Sequence, residues 1–281
     1  MLKVLLIGSN SIVAQSLSSC LGEQYEFIRV SSSHESDIQI DLEAETYHIK
    51  NAHYADIAIN FIASFSPDND EGAYINEKIN SLSSFTIMRL IRELKVKRLI
   101  HLSSIFCLEH IENEYFGSYG LSKKHGEENF KFLSKLHNIE FIAIRFTQIY
   151  DTKGYCSKHQ PFLYNMIKQI QKEKKFVLWG SKDVSRNFIH INDVINILKR
   201  LITSTVTGTY NALGDKSYSV SEIAAMIFNE LNLKHNITFD KDQTNIKSVY
   251  IPKENLIDLV IDYNDRIQLS DGIKYIIRGK E

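Results

Sequence analysis

Short, mostly apolar runs alternate along the chain with longer stretches in which apolar residues return every three or four positions. Residues 2–7 are such a run. Gly8 follows at once, and then Ile12, Val13, Leu17 and Leu21 at helical spacing, which predicts strand, turn and helix. Residues 25–30 predict a second strand, the polar segment SSSHESD follows, and DIAINFIA from Asp56 predicts a third. A helix over 74–94, a buried strand at 99–102, a helix over 119–136 and a fifth strand in IEFIAIRF ending near Arg145 continue the series. Strands that are apolar throughout and separated by helices belong in a parallel sheet covered on both faces. The pattern predicts a doubly wound α/β fold.

Beyond Tyr150 the alternation weakens. The segment TKGYCSKHQPF is polar, holds one of the chain's three prolines and reads as a boundary. A helix over 163–172, a strand at 176–179, a helix from Asn192, a strand around Tyr210 and helices over 219–231 and 271–277 predict a smaller C-terminal lobe. The expected division is a large domain over 1–150, to which 186–213 return, and a lobe over 151–185 and 214–281.

At 281 residues the chain can hold one large domain and one small. With 33 basic and 34 acidic residues, nothing in the charge balance suggests a nucleic acid partner. Cys20, Cys107 and Cys156 are too scattered for a disulfide framework or a metal site and fit a reducing compartment. The chain starts without the basic flank and cleavage site of a signal peptide, and no apolar run approaches the ~20 residues that span a bilayer. A cytoplasmic protein with no membrane partner is expected.

Ligands of open α/β sheets bind beyond the carboxyl ends of the strands, which directs attention to the residues there. After the first strand stands GSNSIVA, in which Gly8 is followed at three and six residues by Ser11 and Ala14, where a dinucleotide-binding turn would carry glycines. After the fourth comes Ser103-Ser104, and fifteen residues beyond Ser104 YGLSK begins, with Tyr119 first and Lys123 last. Four residues apart on a helix, these two share a face. An ammonium one turn away would lower the phenol's pKa from ~10 and make it a usable acid or base, and a serine hydroxyl would position the reacting oxygen. The same spacing also suits a half-buried ring and a solvated amine.

The motifs occur in a fixed order: the glycine-type turn, IDL at 40–42, NFIAS at 60–64, Asn80 early in a long helix, KRLIHLSS, YGLSKKHGE, IRFTQIYD, SRNFIHINDV, GTYNALG and LSDGIKYII. In this order they resemble the extended short-chain dehydrogenase/reductase family, the NAD(P)-dependent nucleotide-sugar epimerases, dehydratases and ketoreductases built on a Rossmann fold. The resemblance spans essentially the whole chain. It implies that the large domain binds the dinucleotide and the lobe a nucleotide-diphosphate sugar. Tyr119 would be the catalytic acid/base, Lys123 would hold the nicotinamide ribose, and Ser104, with Ser103 as the alternative, would bond the reacting oxygen. Gly8, Asn10, Ser11, Ile12 and Val13 would surround the pyrophosphate, Asp41 and Leu42 would border the adenine, and Ala63 and Ser64 the adjoining ribose. Phe146 and Gln148 would stand at the nicotinamide end, with Gln148 also near substrate, and Arg186 would grip the substrate diphosphate. The long helices, with apolar Ile75, Leu82, Phe85 and Met88, imply a homodimer.

After the second strand come Ser31, Ser32, Ser33 and His34, with no carboxylate before Glu35. Hydroxyls with Arg29 or His34 could accept a 2′-phosphate, which leans toward NADP(H) over NAD(H). Family dehydratases carry an Asp-Glu pair directly after the catalytic hydroxyl, and Ile105 and Phe106 stand there instead. Cys107 reads as a buried apolar residue rather than an extra base. The remaining reactions are reduction of a 4-keto sugar, or its reverse, and 4-epimerisation with retained NAD. A dinucleotide-binding sensor without turnover is the reading from outside enzymology.

Overall fold

A computed structural model describes residues 1–253, 255–263 and 265–279 of the chain. The first apolar run becomes β1 (Lys3–Ile7), followed by α1 (Ile12–Leu21) and β2 (Glu26–Ser31). A short hairpin, β3 (Ile38–Asp41) and β4 (Thr46–Ile49), precedes β5 (Ile57–Asn60). Then come α2 (Asp70–Glu77), a π-helical turn (Lys78–Leu82), α3 (Ser83–Glu93), β6 (Arg98–Ser104), α4 (Ser118–Leu136) and β7 (Glu140–Phe146). With β11 (Gly208–Ala212) these strands form one eight-stranded sheet in the order β11-β7-β6-β5-β1-β2-β3-β4. Every pairing is parallel except β3 with β4.

Helices cover both faces of the sheet. On one, Ala14, Leu17 and Leu21 of α1 pack with Ile197, Leu198 and Leu201 of α6 (Ile191–Thr203) against Val4, Leu6 and Ile59. On the other, Ile87, Leu90 and Ile91 of α3 and Phe130 and Leu133 of α4 cover Leu5, Ile7 and Ala58. Each fully buried aliphatic side chain contributes about 2 kcal/mol of transfer free energy, so the alternation of apolar strands and amphipathic helices is sufficient reason for the layering. Met88 belongs to this second core, 2% exposed, and not to the outward face assigned to it from the sequence. The outward face of these helices carries Ile75, Leu82 and Phe85 together with Tyr74, Leu121, Phe132 and Leu136.

The helix predicted over 74–94 is three segments. It starts earlier, at Asp70, where the Asn69 side chain accepts from Gly72 N. The π turn then rotates Asn80 inward, and α4 comes close enough that a Cβ on Gly126 would lie 2.1 Å from the Asn80 carbonyl oxygen.

A second core gathers in the C-terminal half. There β8 (Gln148–Tyr150) pairs in parallel with β10 (Ser185–His190), β10 pairs with β12 (Ser217–Ser219), and β9 (Phe176–Trp179) pairs with β13 (Ile237–Asp240). α5 (Pro161–Glu173), α7 (Val220–Glu230) and α9 (Leu269–Arg278) pack on these strands through Leu163, Ile167, Ile223, Ile227 and Ile273. Of residues 186–213, β11 joins the large sheet and α6 its core, whereas β10 lies in the small sheet. Among the described residues no helix is long and apolar enough to cross a membrane.

Candidate active site

The turn after β1 requires its one glycine. Gly8 has φ +84°, and a Cβ there would meet Ile62 Cγ1 at 3.0 Å and Ile62 N at 3.2 Å. Gly8 N and Ser9 N both donate to the Val30 carbonyl, at 2.9 and 3.0 Å, which ties the turn to β2. The other two glycine positions are filled by residues with work of their own. Ser11 is the N-cap of α1, its hydroxyl accepting from Ala14 N at 3.1 Å, and Ala14 is fully buried between helix and sheet. Ile12 and Val13 lie half-buried behind the turn, and Asn10 is exposed at its tip.

Beside this turn a cavity of about 340 Å³ opens between Asn10, Gln15 and Ser18 on one side and Arg29, Ser33 and Ser36 on the other. Ser31 is buried and shares a hydrogen bond of 2.5 Å with Ser36, while Ser32 is exposed. Arg29 lies 3.5 Å from Asp37 and donates to the Glu35 carbonyl. His34 lies outside the cavity, its carbonyl taken by Lys50. Asp41 accepts from Glu43 N and Ala44 N, both at 2.9 Å, and so closes the hairpin turn, with Leu42 half-buried against the core.

Two asparagines shape the segment after β5. Asn80 accepts from Ser64 N at 2.7 Å and donates to the Ser64 carbonyl at 2.8 Å and to Ser122 Oγ at 2.9 Å. One turn earlier, Asn76 makes the corresponding bonds to the backbone of Ser66 and to Ser118 Oγ. These two rungs lock α2 to α4 and leave Ala63 exposed and Ser64 half-buried. Neither rung is legible in a motif, although asparagines at 76 and 80 and serines at 118 and 122 share the helical spacing of four. Asp68 completes the join by accepting from Ser118 N at 2.8 Å and Oγ at 2.7 Å.

The ladder sets Tyr119 against the end of β6. Its hydroxyl faces Ser104, whose Oγ accepts from Phe106 N at 3.2 Å. Ser103 points elsewhere, toward Cys107 Sγ at 4.0 Å, so the geometry joins Ser104 and not Ser103 to the phenol. Phe65 meets the Tyr119 ring edge-on at 4.7 Å and Phe106 at 6.3 Å. Burial pushes the Tyr119 phenol up to about 12, opposed by the nearby Ser104 hydroxyl. This corrects the expectation that Lys123 lowers it. Lys123 is 1% exposed, its Nζ donates to the Leu102 carbonyl at 2.8 Å, and burial draws its own pKa down to about 8. The structure holds a protonated phenol beside an ammonium with little proton affinity to spare.

Phe146 is 3% exposed in the core, so only backbone at that position can face a ligand, while Gln148 is half-buried at the start of β8. Arg186 is buried under the lobe. It donates to the carbonyls of Ser185 at 2.8 Å and Lys247 at 2.7 Å, and its guanidinium lies over the rings of Tyr115 and Phe162. Phe106 stacks on Tyr115 at 4.9 Å, so aromatic rings run from Tyr119 to Arg186. A larger cavity of about 800 Å³, lined by Asn187, Asp215, Tyr218 and Arg266, includes none of the catalytic or binding residues expected from the sequence, although Asn187, Leu213 and Gly214 fall within the SRNFIHINDV and GTYNALG motifs. Among the described residues no cluster of His, Cys, Asp and Glu could hold a metal ion.

Residues 4–212 match the family model described as the NAD dependent epimerase/dehydratase family. The chain belongs to this family. Relatives of this epimerase/dehydratase chain include a protein of Methanocaldococcus jannaschii provisionally named UDP-glucose 4-epimerase, 24% identical over 71% of this chain and 68% of its own length. A dTDP-4-dehydro-6-deoxy-D-allose reductase of Streptomyces bikiniensis is 26% identical over 43% of this chain and 38% of its own. Among solved structures, RMD from Pseudomonas aeruginosa complexed with NADPH superposes with a TM-score of 0.79 at 13% identity, covering 99% of this chain and 98% of that one. The positive φ of Gly8, its closeness to Ile62 and the capped start of α1 fit the pyrophosphate of the dinucleotide that the family name implies.

Proposed function

We propose that this epimerase/dehydratase chain reduces the 4-keto group of a nucleotide-diphosphate sugar, or runs that step in reverse. The observation that carries the reading is the half-buried Tyr119 phenol facing Ser104 at the end of β6, one helical turn before Lys123. A reduction needs an acid in place as carbonyl becomes alkoxide, and Tyr119 donates that proton while Ser104 bonds the same oxygen. When bound, a nicotinamide dinucleotide supplies the hydride. Lys123 anchors its ribose and Gly8, Asn10, Ser11, Ile12 and Val13 surround its pyrophosphate. Asp41, Leu42, Ala63 and Ser64 border the adenosine, and the backbone at Phe146 with Gln148 faces the reacting end. Arg29 and the serines of the smaller cavity favour NADP(H). Arg186, on β10 beside the lobe of residues 151–185 and 214–281, reaches the substrate diphosphate. The exposed apolar face of α3 and α4 pairs two copies into a homodimer.

The 4-epimerase reading draws support from the M. jannaschii relative, whose match spans most of both chains. Cofactor stoichiometry separates the two. With a nucleotide-linked 4-keto sugar, reduction consumes one NADPH per alcohol formed. Interconversion of two 4-hydroxy epimers without net change in absorbance at about 340 nm would replace the reductase reading by the epimerase.

A further inference from the structure

Behind the proposed proton donor lies a buried ionic group that the reaction does not consume. Glu127 stands one turn beyond Lys123 on α4 and is 5% exposed. Arg145, on β7 opposite Ser103, grips its carboxylate with Nε at 2.9 Å from Oε1 and Nη2 at 2.6 Å from Oε2. The Cys107 thiol donates to Oε1 at 3.3 Å. Three elements fix one buried carboxylate a helical turn beyond the lysine.

We propose that Glu127, clamped by Arg145 and Cys107, is a positioning residue that holds Lys123 as the ammonium next to Tyr119. The inference rests on the reading of Tyr119 and Lys123 given above. An isolated ammonium this deeply buried would shed its proton, because desolvation penalises the charged form. The surrounding groups identify what opposes that loss. On α4, Tyr119 is protonated. From β6, His101 is buried and kept neutral by desolvation and by the lysine's own charge. After β6, the Cys107 thiol is pushed up to about 12 by burial and by Glu127. From β7, Arg145 is a cation. The Glu127 carboxylate raises the proton affinity of Lys123 by electrostatic attraction.

The competing account is a purely structural ion pair between α4 and β7. Direct titration of the Lys123 amine separates the two without requiring turnover: ¹³Cε lysine resonances of the whole protein, with the Lys123 signal assigned through Lys123→Arg. In Glu127→Gln the midpoint is expected to fall by about one pH unit or more, and in Glu127→Asp to stay within about half a unit of wild type. A folded Glu127→Gln with the wild-type midpoint overturns the proposal. If Glu127→Gln does not fold, Glu127→Ala decides by the same titration: the midpoint should fall as in the amide variant, and an unchanged midpoint overturns the proposal. Where the wild type reduces a keto sugar, the alkaline limb of kcat/KM should move to lower pH in Glu127→Gln. A wild type without turnover defeats the functional reading, while the titration still decides the role of Glu127.

Discussion

At the β1–α1 turn the geometry is carried by backbone: Gly8 holds a positive φ, two amides share the Val30 carbonyl, and a capping hydroxyl starts the helix. At the start of α4 it is carried by buried side chains, with Asn76 and Asn80 reaching Ser118 and Ser122 and the Glu127–Arg145 pair below Lys123. The difference explains why two glycines of the turn can be replaced at small cost. A backbone motif needs one residue without a Cβ and tolerates small side chains elsewhere. A buried polar ladder leaves a donor or acceptor stranded when any member is lost.

That contrast can be tested on stability alone. Asn80→Ala strands Ser64 N, the Ser64 carbonyl and Ser122 Oγ together and should destabilise by about 3 kcal/mol in denaturant unfolding. A loss no larger than that of a surface substitution would break the contrast. Lys123→Met should stabilise near pH 7 by about 2 kcal/mol, since it removes a buried ammonium. The sign follows from proton counting. The folded pKa of Lys123 is depressed from 10.5 to about 8, so the unfolded chain binds more protons between those values and wild-type stability rises with pH there. The advantage of Lys123→Met should accordingly shrink between pH 7 and pH 9.5 in paired unfolding curves. Ser11→Ala should cost only about 1 kcal/mol and Ser11→Gly a few tenths, by the same measurement.

These two regions also differ in how much of them the chain reveals before it is folded. The long apolar strands and the helices on α1, α4 and α6 are legible because burial on both faces leaves uninterrupted apolar runs. The β3–β4 hairpin escapes because its strands are four residues each and β4 lies at the sheet edge, partly exposed along its length. Tyr119, Lys123 and the serine pair are visible as spacing, but the choice of Ser104 depends on which face of β6 each serine takes. The pKa of Tyr119 was the harder property. Spacing shows a lysine one turn away, whereas the sign of the shift comes from desolvation by Phe65, Phe106 and the surrounding fold. The Asn–Ser ladder spans 42 residues in sequence at each rung and becomes apparent only when α2 and α4 lie side by side.

The central claim is that Tyr119 is the proton donor of a hydride-transfer site whose dinucleotide turn works with a single glycine. Its most direct test is NADPH oxidation at about 340 nm with a nucleotide-linked 4-keto sugar, comparing wild type with Tyr119→Phe after confirming that both bind the dinucleotide. The account predicts a fall in kcat of about 10³-fold with dinucleotide affinity nearly unchanged, the range expected for loss of a general acid. Turnover by Tyr119→Phe at the wild-type rate would contradict it.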